Sequence, residues 1–111
     1  MRNVAGERIL AAGAVSRHVA LPNGDGHQNE VTIFNLGQVS AFVALSNNGS
    51  YTVGIDPVAV ASPASTEVPP GKSASLQLTS HYPGRTITGQ CHIAAIAPDG
   101  VTILCVVVGS A

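Results

Sequence analysis

The chain has 111 residues, of which 10% are charged, with a net charge of −1; an ordinary soluble domain carries about 25%. Such a chain forms one domain large enough to bury a core without metal or disulfide support. Its few cations (Arg2, Arg8, Arg17, Lys72 and Arg85) are dispersed and offset by six acids, which argues against a nucleic-acid binder, and no apolar run reaches the length of a bilayer-spanning helix.

Two readings of the low charge stay open. One is a small domain with an Asn, Ser and Thr surface. The other is a subunit whose neutral surface is covered in an assembly. No formal charge lies between Glu30 and Asp56, and free domains usually separate their copies with mixed charge.

Taken from the start, Met1 to Arg8 is polar and is expected to precede the first strand as an arm. Ile9 to Leu21 is apolar and small, then turns at Pro22-Asn23-Gly24-Asp25-Gly26. Ile9 to Val15 superficially resembles the core of a secretion signal, but Glu7 interrupts the basic region before it and the apolar alternation runs on through Val19. Glu30 to Leu36 alternates, with Val31, Ile33 and Asn35 on one face and Thr32, Phe34 and Leu36 on the other. Val39 to Ser46 follows, with Val39, Ala41, Val43 and Leu45 together. Asn48-Gly49 predicts a two-residue hairpin returning through Tyr51 to Ile55, and Asn48-Gly49-Ser50 is read as that turn rather than as a glycosylation acceptor.

Further on, Pro69-Pro70-Gly71 predicts a rigid turn with glycine in the left-handed position. Ser73 to Thr79 places Ala74, Leu76 and Leu78 on one side. Gln90 to Ala97 and Val101 to Val108 are apolar on both faces, as in central strands, and Pro98-Asp99-Gly100 between them predicts a hairpin. In that register Cys91 and Cys105 share a face as reduced, apolar residues. No segment has a sustained helical period. The expected fold is all-β: a single-domain β-sandwich, jelly-roll-like, with about seven to eight antiparallel strands.

Catalytic chemistry finds little purchase. Asp25, Asp56 and Asp99 adjoin Gly or Pro, where aspartate serves turn geometry. No nucleophile elbow, phosphate loop or dinucleotide fingerprint occurs. His18, His27, His81 and His92 show no spacing that pairs two imidazoles on one strand or helix, so no metal, cofactor or catalytic residue is assigned. Tyr51 and Tyr82 could offer platforms to a sugar, which keeps a carbohydrate- or receptor-binding module of a phage tail or bacterial surface as the alternative function.

The segments Val31-Thr32-Ile33-Phe34-Asn35-Leu36-Gly37, Glu67-Val68-Pro69-Pro70-Gly71 and Ile93-Ala94-Ala95-Ile96 sit in a short, weakly charged all-β chain. In these features the chain resembles the capsid decoration (cement or staple) proteins of tailed bacteriophages, of the epsilon-fifteen short-tailed type. The resemblance implies a structural virion protein on the outer surface of an icosahedral head, made in the host bacterial cytoplasm. It implies the major capsid protein as partner, a homodimer on the lattice, and neither nucleic acid nor membrane. Residues 1–8 then form an arm ahead of a sandwich over 9–111. The partner interface is expected at Met1, Arg2, Asn3, Val4 and Arg8, together with Arg17.

Overall fold

The computed structural model describes residues 2–22, 28–46, 61, 65–77 and 91–110. Eight strands are present: β1 (Arg2–Ala12), β2 (Arg17–Ala20), β3 (Glu30–Asn35), β4 (Ala41–Ser46), β5 (Thr66–Val68), β6 (Ser73–Gln77), β7 (His92–Ile96) and β8 (Thr102–Ser110). They form two four-stranded sheets, ordered β1-β8-β3-β6 and β2-β7-β4-β5, with every pairing antiparallel. This is a β-sandwich with the strand order of a jelly roll. The first sheet is called sheet A below, the second sheet B. β1 lies against β2 and β6 against β5, so the two sheets are stacked in register.

The core follows from period-two alternation. In sheet A, Leu104, Val106 and Val108 of β8 and Val31 and Ile33 of β3 point inward and are fully buried. In sheet B they meet Ala41, Val43, Val68, Ile93 and Ala95. Each buried Val, Leu or Ile contributes about 1.5–3 kcal/mol. The many alanines let the layers close without large side chains. β7 and β8 are central in their sheets, as their two apolar faces predict.

Three expectations change. Residues 2–8 do not precede the first strand; they are its first part, paired with β8 from Arg2↔Ser110 and Gly6↔Val108 onward. Glu7 belongs to the outward row, and Arg8, though opposite Val106, is exposed on this edge strand; their backbone completes the ladder. Next, Ile9 to Leu21 is not one strand. β1 ends at Ala12, and Gly13 to Ser16 carry the chain across to β2 in the other sheet. Finally, β7 and β8 are not paired with each other. β7 pairs with β2 and β4, and β8 with β1 and β3, so Pro98-Asp99-Gly100 bridges the two sheets. The turn itself is as read, closed by Gly100 N–H donating to Ala97 O at 3.4 Å; its chemistry fixes the reversal but not which strand receives the partner.

Pro69-Pro70-Gly71 is a second sheet-to-sheet corner, from β5 to β6. Lys72 N–H donates to Pro69 O at 3.1 Å, and Gly71 has φ +72°, the type II geometry that proline then glycine predict. The expected hairpin at Asn48-Gly49 lies outside the described residues.

Candidate interaction face and a histidine pair

Sheet A presents its outer surface through the other half of each alternation. One row runs across all four strands: Ile9 opposite Cys105, Cys105 opposite Phe34, and Phe34 opposite Ser73. On one side of it lies Ala11–Ile103, where Leu36 N–H donates to Ile103 O at 2.9 Å. On the other side lies Glu7–Val107–Thr32–Ser75. Four large apolar side chains are open there: Ile9 is 61% exposed, Leu36 63%, Phe34 41% and Ile103 39%. Together they make a patch on the order of the 400 Å² above which a contiguous apolar surface signals binding.

The rim is polar. Thr32 and Ser75 hydroxyls lie 3.0 Å apart, and Gln77 Nε2 donates to Glu30 Oε2 at 3.5 Å. Beside the patch, Phe34, Leu36, Gly37, Gln38, Gly71 and Lys72 line an open groove. The charged residues at this surface (Glu7, Glu30 and Lys72) sit around it rather than within the Ile9–Cys105–Phe34 row. Cys105 Sγ donates to Glu7 Oε2 at 3.5 Å, and burial, then that carboxylate, pushes the thiol up. Cys91 is buried in the core, on the other sheet, and both cysteines are free.

The residues expected to bind a partner are distributed differently. Arg2 and Asn3 lie in β1, and Met1 falls outside the described residues. Val4 is exposed on the same strand. Arg8 is exposed on β1, its guanidinium donating to Glu7 O at 2.9 Å. Arg17 opens β2 in sheet B. The arginines therefore lie along the side where β1 meets β2, and the apolar patch lies on the sheet A face, where only Phe34 and Leu36 carried a readable outward pattern. On β8 the apolar outer face of Ile103, Cys105 and Val107 reads in sequence as burial from both sides, which hides its exposure.

A second constellation has no sequence signal. His18 faces Ala94 and Ala20 faces His92, which makes the two histidines diagonal neighbours on the outer side of sheet B. Their Nδ1 atoms are 3.0 Å apart, with ring centroids at 5.0 Å and planes inclined at 61°. One Nδ1–H donates to the other ring's lone pair. His92 is 8% exposed, and burial, followed by the His18 neighbour, holds it below the ordinary histidine range. The two are 74 residues apart, so no local spacing announces them. Among the described residues, no group of three or more His, Cys, Asp or Glu gathers to hold a metal, and no helix is long and apolar enough to cross a membrane.

No known protein family, curated protein or solved structure matches this chain.

Proposed function

We propose that this chain is a structural virion protein that decorates an icosahedral phage head, docking the outer face of sheet A onto adjacent major capsid protein subunits. The observation that carries the reading is the exposed Ile9–Phe34–Ile103–Leu36 patch, apolar at its centre and polar at its rim, on a chain with very little charge. An interface core of this kind is depleted in charge and ringed by polar groups. In the same reading the subunit acts as a homodimer, so that two faces engage the lattice together and avidity replaces a deep pocket. Jelly rolls serve both capsids and lectins, so the fold favours neither this function nor sugar binding.

The test is co-sedimentation with empty heads prepared without the protein, with the protein-to-capsid-subunit ratio read from the pellet. Wild type is expected to saturate near a stoichiometric ratio. Phe34→Asp and Ile103→Lys, both at exposed positions, are expected to weaken binding by about 2 kcal/mol or more each, roughly thirtyfold. Binding that is unchanged in both variants, or a chain that joins no shell, would overturn the proposal. Glycan binding lost on Tyr51→Ala or Tyr82→Ala, both outside the described residues, would instead establish the carbohydrate-binding alternative.

A further inference from the structure

The outer side of sheet B carries a feature unrelated to docking. From the placement of the His18 and His92 Nδ1 atoms we infer a two-imidazole site for a divalent d-block cation, with copper(II) and nickel(II) preferred over zinc. Imidazole nitrogens suit these metals, whereas magnesium and calcium require oxygen ligands. The two Nδ1 atoms are 3.0 Å apart. With metal–nitrogen bonds of about 2.05 Å, that separation subtends about 94° at a shared cation. This matches cis positions of a square-planar or octahedral centre. A tetrahedral zinc centre needs the nitrogens about 3.35 Å apart.

The backbone sets this bite. β2 and β7 are hydrogen-bonded in fixed register, so diagonal side chains on one face converge without loop rearrangement. In the metal-free chain one proton sits between the two nitrogens. On binding, the ring that carried this proton takes its Nε2–H tautomer by exchange with solvent, with no net proton release, which leaves both Nδ1 lone pairs for the cation. Solvent supplies the remaining ligands. The cation then ties the edge strand β2 to the central strand β7.

The experiment titrates the full chain with copper(II) at pH 7.5, followed by electron paramagnetic resonance and thermal melting. The expected result is one equivalent bound, hyperfine splitting from two equatorial imidazole nitrogens, and a raised melting temperature. His18 is exposed, so His18→Ala keeps the fold, checked by circular dichroism; it is expected to lose one nitrogen from the spectrum and at least about tenfold in affinity, the least that disturbing a metal's supporting shell costs. A His27→Ala, His81→Ala double variant is expected to bind as wild type does. Affinity and spectrum unchanged by His18→Ala, binding lost in the His27/His81 variant, or no copper or nickel bound at millimolar metal would each overturn the inference. None of these outcomes bears on capsid docking, which is read at the opposite sheet.

Discussion

Asn35 ties together segments that are far apart in sequence. It is 2% exposed, at the inward end of β3. Its Nδ2 donates to Val39 O at 2.8 Å and Val68 O at 2.9 Å. Its Oδ1 accepts from Gly37 N–H at 3.0 Å and from the Thr102 hydroxyl at 2.5 Å. A buried amide is tolerated only when satisfied in this way. Asn35→Leu keeps the branched skeleton but strands two carbonyls, an N–H and a hydroxyl, so it is expected to cost about 2–4 kcal/mol in urea unfolding. Gly37 supports the same knot, since a Cβ there would occupy the space of Thr102 Oγ1. The alternation in the sequence gives Asn35 its inward direction. Its role was illegible, because its partners come from three other segments. The histidines make a second residue-scale case. The ordinary value is 6.5, and His92 lies below it in the folded chain, so just below pH 6.5 the unfolded chain takes up the proton first. Stability is therefore complete above 6.5 and declines as the pH falls through it. The urea midpoint at pH 5.5 is expected to lie below that at pH 7.5. His18→Ala narrows the gap without closing it, because burial is the larger cause.

At the level of elements, the turns were readable and their destinations were not. Both Pro69-Pro70-Gly71 and Pro98-Asp99-Gly100 reverse the chain with the residues that turn chemistry demands, yet both cross between sheets. A hairpin and a crossover corner share their local geometry; what separates them is which sheet offers an open edge to the arriving strand. For Ser73–Gln77 the local pattern sufficed, since Ala74 and Leu76 pack on the core and Ser73, Ser75 and Gln77 face out as expected. For β8 it failed, since apolar residues on both faces occur equally in a doubly covered strand and in one with an open face awaiting a partner. The corner at Gly71 offers a clean measurement. A Cβ there meets nothing within 4 Å, while φ is +72°, so Gly71→Ala is penalised by conformation alone. The expected loss is about 1–2 kcal/mol, read from the thermal midpoint, with the Phe34 face unaltered.

Over the whole molecule, the sandwich is closed largely by β8, which holds β1 on one side and β3 on the other. Residues 2–8 therefore belong to the fold. Their removal is expected to bare the edge of β8 from Val106 to Ser110, lower the melting temperature and promote aggregation through that unpaired strand. Circular dichroism melts and light scattering test this; a dispensable arm would leave both unchanged. The chain as a whole carries little charge, and the large exposed apolar side chains of sheet A gather on its outer face. The pairing of Arg2 with Ser110 has one more effect. Arg2 and Ser110 sit side by side, so a linker of only a few residues between them could close residues 2–110 into a covalent ring. By the same geometry, cargo domains joined beside Arg2 or beside Ser110 would depart from a single corner of the sandwich.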